Sequence, residues 1–298
     1  MAKVIVTGGS GLIGQAFCRE MHNAGWEVVV VSRNPQQASP VESFCRIGWE
    51  DLSHEMESAH AVVNLAGENI GAGRWTEEKK QRIRESRIKA GEAVLQAFRQ
   101  VSRKPTVLMQ SSAIGFYGIQ HGDTPLDEIA SAGKDFLSLV GVAWEDSTRE
   151  VENLGVRRVV IRTGVVLARE GGVLGRMVLP VRLGAGGPLG SGKQWISWIH
   201  LQDQVRAMRF LIETPSSRGV YNLSAPHPVQ NRDFMRTLAK VLKRPYWLPV
   251  PAFALRLLLG EMSTLVLDGQ RVIPARLLAE GFKFVYPELE GALQNLLE

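Results

Sequence analysis

Cysteine is nearly absent from this chain of 298 residues: Cys18 and Cys45 are the only two, and they have neither metal-ligand spacing nor the numbers for a disulfide framework. A small disulfide-stapled scaffold and a cysteine-based zinc centre are thereby excluded, no metal is expected, and a reduced, cytoplasmic setting is the simple reading. Long hydrophobic runs are missing too. The most apolar later stretch, Phe253 to Leu267, is interrupted by Arg256 and Glu261 and is too short to span a bilayer, so no membrane partner is expected. The first strand pattern starts at Lys3, which leaves no room before it for a signal peptide. Internal repeats and low-complexity tracts are lacking. Charge of one sign never accumulates either. The net charge is +5 and the pI about 9.4, yet the basic segment Lys79 to Lys89 is interleaved with Glu77, Glu78 and Glu85, the pattern of a solvated helix face and not of a nucleic-acid stripe.

What the chain does have is a glycine-rich turn in a telling place. Lys3 to Thr7 is a β-branched run that reads as a parallel strand covered on both faces, and Leu12 to Asn23 continues as a helix with Ile13, Phe17 and Met21 on one side. Between them lie Gly8, Gly11 and Gly14, spaced by three. Strand, glycine turn and helix in that order suit a dinucleotide pyrophosphate resting on a helix N-terminus. Gly8, Ser10, Gly11, Leu12, Ile13 and Gly14 are the expected contacts, with an ordinary surface turn as the alternative. The next strand, Trp26 to Val31, ends in Ser32-Arg33-Asn34 with no acidic residue to accept from a ribose 2′-hydroxyl. A hydroxyl from Ser32 and a guanidinium from Arg33 suit a 2′-phosphate, so NADP(H) is preferred over NAD, unless Arg33 is an ordinary solvated side chain.

Further along, Asn34 to Ser58 is polar with a short strand near Phe44 to Ile47. Ala61 to Leu65 is a strand whose end supplies Asn64, Leu65, Ala66 and Gly67, small groups against which a cofactor's adenosine side can lie, Asn64 also being able to brace neighbouring strands. Thr76 caps a helix to Gln100 whose Arg87 needs an acceptor, either a phosphate or a surface carboxylate. Thr106 to Ser111 is the fourth parallel strand. Ser112 and Tyr117 follow it, where ligands of open parallel sheets bind, and they are candidates for polarising a substrate oxygen and moving a proton; a turn-capping serine and a half-buried tyrosine are the alternative.

TGGSGLIG (Thr7 to Gly14), SRNP (Ser32 to Pro35), NLAGENI (Asn64 to Ile70), Arg74-Trp75, ESR (Glu85 to Arg87), RTGVVL (Arg162 to Leu167), GGPLGSGKQ (Gly186 to Gln194), WIH (Trp198 to His200) and GQRVIP (Gly269 to Pro274) recur in this order over nearly the whole chain. Together they resemble an extended short-chain dehydrogenase and, more closely, the YfcH-like epimerase family. That resemblance implies an NADP-binding, nucleoside-diphosphate-sugar-epimerase-like protein with a C-terminal domain of unknown function. It also shows three departures. The Tyr-x-x-x-Lys of extended dehydrogenases is absent from Asp135 to Asn153, where Leu137 and Gly141 occupy the two positions if Glu145 is aligned with the usual acid. Ala113 fills the usual serine slot, with Ser112 one residue early. Arg87 stands where an asparagine is common, which fits an extra cofactor contact.

Gly155 to Val166 should pass beside the nicotinamide, with Arg162 as lining. His200 is either a third proton-moving candidate or a tie between a strand and the next helix through Asp203. Trp195 and Trp198 could line a cleft. The expected architecture is α/β: a Rossmann-type doubly wound parallel sheet over 1–225, with the segment near 168–195 contributing to a smaller, mostly helical C-terminal lobe over 226–298. Phe253, Leu257 and Leu258 are assigned to the lobe's own core, with a partner surface as the alternative; a second copy of the chain is kept as a candidate partner beside a small-molecule substrate. The leading reading is an oxidoreductase or epimerase acting on a small carbonyl, hydroxyl or nucleotide-sugar substrate. Its rival is a catalytically weak NADPH-sensing regulator, linked through the resemblance to cell division.

Overall fold

Runs of valine and isoleucine alternate with amphipathic stretches along the first two-thirds of the chain, and the strands of the main sheet pair in parallel. The computed structural model describes residues 1–36, 44–120 and 122–298; the 37–43 part of the expected polar connection lies outside them. In chain order the elements are β1 (Lys3–Thr7), α1 (Leu12–Asn23), β2 (Glu27–Val31), β3 (Cys45–Ile47), α2 (Leu52–Met56), β4 (Ala61–Asn64), α3 (Glu77–Gln100), β5 (Val107–Ala113), α4 (Phe136–Asp146), β6 (Arg157–Thr163) and β7 (Val165–Leu167). They continue as α5 (Leu174–Arg182), β8 (Trp195–Ile196), β9 (Trp198–His200), α6 (Leu201–Glu213), β10 (Gly219–Leu223), β11 (Val229–Gln230), α7 (Asn231–Val241), α8 (Ala252–Leu259), α9 (Thr264–Leu267), α10 (Ala275–Ala279) and α11 (Leu289–Leu297). Short 3₁₀ turns at Ile114–Tyr117, Arg149–Leu154 and Gly260–Ser263 complete the path.

The main sheet has the order β10-β6-β5-β4-β1-β2-β3. Progression reverses between β1 and β4, which makes this a Rossmann-type doubly wound sheet and places a crevice outside the carboxyl ends of those two strands. Side chains alternate across the sheet. Val4 and Val6 of β1 pack with Phe17, Met21, Val205 and Met208 under α1 and α6, while Ile5 packs with Val94 and Phe98 under α3. A separate apolar cluster joins Trp198 to α5, α7 and α11, forming the helical lobe. Later chain also returns to the sheet: Leu277 and Phe282 belong to the cluster beneath α6.

Three polar side chains cross the sheet at its carboxyl edge. Thr7 Oγ1 donates to Asn64 Oδ1 at 2.6 Å, Asn64 Nδ2 donates to Gln110 Oε1 at 3.0 Å, and Gln110 Nε2 donates to Ser111 O at 2.7 Å. The register that aligns Thr7 with Asn64 and Asn64 with Gln110 makes this ladder possible, and all three side chains are fully buried.

Gln230 is the residue before α7, and the Asn231 side chain accepts from Leu189 N at 2.8 Å. Residues 186–190 are zipped to 246–250 through bonds such as Leu248 N to Gly186 O and Gly190 N to Val250 O. Gly164 lies between β6, which pairs with β5 and β10, and β7, which pairs with β9, and Ser197 O approaches it so closely that a Cβ has no room. Phe253, Leu257 and Leu258 do not form lobe core: they are 73%, 79% and 66% exposed, since α8 buries none of its residues.

Replacing Asn64 with Ala strands the Thr7 hydroxyl and the Gln110 amide in the dry interior. The expected loss is about 1–3 kcal/mol for each group left unpaired, read as a lower urea midpoint at unchanged m-value.

Candidate functional site

The crevice at the switch point is a cavity of about 750 Å³. Its floor is the turn after β1 (Gly8 to Gly11), its sides are the end of β2 (Ser32, Arg33, Asn34) and the end of β4 (Leu65 to Glu68), and its roof is one face of α3. The turn is shaped by close approach. A Cβ on Gly8 would lie 2.7 Å from Leu65 C, and Gly8 has φ +71°, so no other residue fits without strain. A Cβ on Gly14 would lie 2.7 Å from Gly9 Cα, which is how α1 packs down on the turn. Gly11 differs, having only Gly8 O within 4 Å of a built Cβ; a side chain there would occupy the crevice itself.

Electrostatics favour an anion on that floor. Gly11 caps α1 without any side-chain hydrogen bond and no acidic residue lies in the first turn, so the helix presents uncapped N–H groups at its positive end. Cations among the lining residues are Arg33 after β2, Arg46 on β3 and Lys89 on α3, the last paired with Glu85 at 2.8 Å. Among the described lining residues the one carboxylate, Glu68, is held below its usual pKa by Lys79, whose Nζ lies 2.6 Å from Glu68 Oε1. These residues fit a pyrophosphate at α1 and a further phosphate beyond β2.

Of the residues expected from sequence to hold a cofactor, Gly8, Ser10, Gly11, Ser32, Arg33, Leu65, Ala66 and Gly67 line the crevice. The others lie elsewhere. Leu12 faces Gly172, Gly14 serves helix packing, and Asn64 belongs to the buried ladder. Ile13 packs against the sheet core. Arg87 lies beside Gly67 of the crevice wall and finds backbone acceptors within the fold: Nη1 donates to Glu68 O at 3.0 Å and Ile83 O at 2.9 Å, and the guanidinium lies 4.7 Å from the Trp144 ring. Burial pushes its pKa down to about 10, with Glu68 opposing. Sequence reading missed Gln15, Arg46, Trp49, Ser86, Lys89, Ala90 and Ala93. The α3 members were legible in principle, since Ser86, Lys89, Ala90 and Ala93 follow the three-and-four spacing of one helix face.

The end of β5 is organised differently. Glu145 on α4 accepts two parallel bonds from Arg162, at 2.8 Å from Nε and 3.0 Å from Nη2, and a third from Ser112 Oγ at 2.7 Å. Arg162 Nη1 reaches Tyr117 OH at 3.1 Å, and Tyr117 donates to Asn222 Oδ1 at 2.6 Å. The guanidinium also lies 3.4 Å from the Phe116 ring centre. Burial pushes the Tyr117 phenol above its ordinary pKa, against the pull of Arg162. Ser112, Tyr117 and Arg162 are thus brought together, but as one buried network in which each polar atom already has a partner. Leu137 packs against Gly115 and Gly141 against Phe116, so apolar contact fills the positions of the missing tyrosine and lysine.

His200 stands apart from both groups. Its Nδ1 accepts from Gln202 N at 3.0 Å, capping α6, and this leaves Nε2 to donate to Asn295 Oδ1 at 3.2 Å while the ring stacks on Tyr286 at 4.0 Å. Asp203 completes the tie by accepting from Val285 N and Tyr286 N, both at 2.8 Å. The two tryptophans do not share a cleft. Trp198 is buried in the lobe, and Trp195 lies against Arg271 with 4.8 Å between guanidinium and ring. Among the described residues no cluster of metal-ligating side chains occurs, and no helix is long and apolar enough to cross a membrane.

Residues 4–224 match the NAD dependent epimerase/dehydratase family, and residues 250–296 match a domain of unknown function, DUF1731. The chain belongs to that epimerase/dehydratase family. It is 40% identical to the epimerase family protein YfhF of Bacillus subtilis, with 99% of this chain and 97% of that protein covered. An epimerase family protein of Staphylococcus saprophyticus is 41% identical over the full length of both. Among solved structures, the human epimerase family protein SDR39U1 (isoform 2) with NADPH superposes with a TM-score of 0.90 at 34% identity, covering 99% and 98% of the two chains. A nucleoside-diphosphate sugar epimerase from Corynebacterium glutamicum gives 0.80 at 30% identity, covering 99% of this chain and 58% of that one.

Two outcomes test these assignments. Arg162→Met leaves the Glu145 carboxylate buried without its cation and is expected to cost about 3–5 kcal/mol in urea unfolding, with most of that loss recovered when Glu145 is also replaced by Leu. His200 is neutral when folded, and burial lowers its pKa, with Asn295 and Asp203 opposing. The unfolded chain then binds the extra proton first, so stability is fully present above about pH 6.5 and falls as pH drops through the depressed value. The fall in melting temperature between pH 7.5 and 5.5 is expected to shrink in His200→Asn, which keeps the capping acceptor and removes the titration.

Proposed function

We propose that this epimerase-family chain binds NADP(H) across the switch-point crevice and that occupancy of the crevice, coupled to little or no turnover, is its function. The observation that carries this reading is the state of the β5 edge. By the resemblance to extended dehydrogenases, with Glu145 aligned to the usual acid, Ala113, Leu137 and Gly141 fall at the acid–base positions, while Ser112, Tyr117 and His200 are each committed to partners inside the fold. In the cradle, Gly8 to Gly11 and the α1 N-terminus would hold the pyrophosphate, the end of β4 would lie along the adenosine, and Ser32 and Arg33 would bind the 2′-phosphate. The preference for a phosphorylated ribose rests on the cations lining the crevice and the absence of an acid after β2. The NADPH carried by the human relative supports it.

A second reading, an oxidoreductase or epimerase acting on a small carbonyl or nucleotide sugar, draws on the family itself. When bound, the nicotinamide supplies hydride chemistry; the chain would then have to move a proton at Ser112 Oγ, which donates to a carboxylate already paired with Arg162.

Titration of intrinsic fluorescence with NADPH and NADH separates the cofactor question from catalysis. Arg33→Ala is expected to weaken NADPH about tenfold or more and to change NADH little, the loss of one charge-assisted pair. In parallel, nicotinamide absorbance and product analysis against carbonyl compounds and sugar nucleotides are expected to show tight binding without turnover; steady turnover of any of them overturns the regulatory reading and leaves the binding reading standing.

A further inference from the structure

We propose that the α5–α8 face of the C-terminal lobe is a docking surface for an anionic lipid bilayer. Apolar side chains usually line the inside of a lobe, but here a contiguous set faces solvent: Leu179, Leu183, Trp247, Phe253, Leu257 and Leu258 are each more than 60% exposed. They come from two segments that are joined laterally. Trp247 Nε1 donates to Gly184 O at 3.1 Å, immediately after α5, and the bonds between 186–190 and 246–250 carry that contact to Pro251, where α8 begins. Patches of this extent on a soluble chain mark an interaction site.

The accompanying charge identifies the partner. No Asp or Glu occurs between Glu170 and Asp203, or between Asp233 and Glu261. Within those stretches Arg182, Lys243, Arg244 and Arg256 are exposed. On α8 the helical repeat puts Arg256 beside Phe253 and Leu257 on the solvent side; on α5 it puts Arg182 beside Leu179 and Leu183. Glu261, at the rim, is paired with Lys80 at 2.9 Å. Leucine, phenylalanine and tryptophan interspersed with cations and free of carboxylates form an interfacial surface: the rings and aliphatic groups enter the headgroup boundary while arginine and lysine pair with lipid phosphate. A protein interface of the same size is depleted of lysine at its centre and normally carries acceptors for its arginines. The sequence excludes a spanning segment, and nothing in this arrangement requires one.

Sedimentation of the full chain with phosphatidylcholine vesicles, with and without an equal part of phosphatidylglycerol, tests the assignment. Binding is expected on the anionic vesicles only, to weaken with added salt, and to fall about tenfold or more in Phe253→Ser/Leu257→Ser and again in Lys243→Glu/Arg244→Glu. The charge-matched pair Arg84→Glu/Arg103→Glu, on exposed residues elsewhere, should bind like the parent. All altered side chains are exposed, so thermal melts of the variants are expected to match the parent. Absence of binding at low salt, an equal loss in the control pair, or a stable dimer in light scattering that Phe253→Ser/Leu257→Ser dissolves would each overturn the proposal, the last in favour of a second copy of this chain.

Discussion

The carboxyl edge of the sheet depends on one buried ion pair. Glu145 and Arg162 meet in a bidentate arrangement across α4 and β6, both nearly excluded from water. Such a pair gains little over apolar packing unless its remaining donors and acceptors are satisfied, because both ions lose their hydration. Here the satisfaction comes from neighbours: Ser112 donates to the carboxylate, Tyr117 receives the guanidinium, and the Phe116 ring covers it. Each of those groups is therefore drawn inward by the charge it serves. A tyrosine and a serine that stand at the end of a parallel strand, where chemistry is usual, instead complete the coordination of an arginine.

The crevice one strand away is built by the opposite rule. Its floor is left open: the α1 N-terminus has no side-chain cap, and the glycines keep side chains out of the floor. A site that is to receive a ligand must keep its donors uncommitted and rigidly placed; a site whose donors are spent internally contributes stability instead. The Thr7–Asn64–Gln110 ladder supplies the rigidity, fixing β1 against β4 at the depth where the turn leaves the sheet. The same edge of one sheet thus holds an available half and a committed half.

This division explains what was legible in the sequence. The parallel sheet and the phosphate turn are local features, written in β-branched runs and in glycine spacing, and they appear where the residues put them. The helix cap at Thr76 is equally local, its side chain accepting from Lys79 N. The commitment of Ser112 and Tyr117 was not legible, because each depends on a residue far along the chain, Glu145 and Asn222 respectively, whereas the tie of His200 to the next helix is a local bond and stood among its two readings. Arg87 shows the same limit. Its place near the apolar stripe of α3 signalled a need for acceptors, but only the fold shows that backbone carbonyls of Glu68 and Ile83 meet it. Exposure of Phe253 and Leu257 was hidden for a related reason, since an apolar helical stripe reads alike whether it faces a core or the outside.

One segment joins the crevice to that exposed helix. Residues 65–68 form a wall of the crevice, and the chain that follows is clasped to the lobe: Arg74 donates to Leu258 O at 2.8 Å and Leu257 O at 2.9 Å, carbonyls in the last turn of α8, and Arg176 donates to Gly71 O at 2.9 Å. Trp75 adds an apolar tie to Met262. A cation on the carbonyl end of a helix complements its dipole as well as its orphan acceptors, so this clasp helps to hold α8 in place although the helix buries no residue of its own. The crevice wall and the exposed helix are thus the two ends of one short segment, and the far end of that segment is held by its bonds to α8 and by the Trp75–Met262 cluster, not by burial of α8 itself.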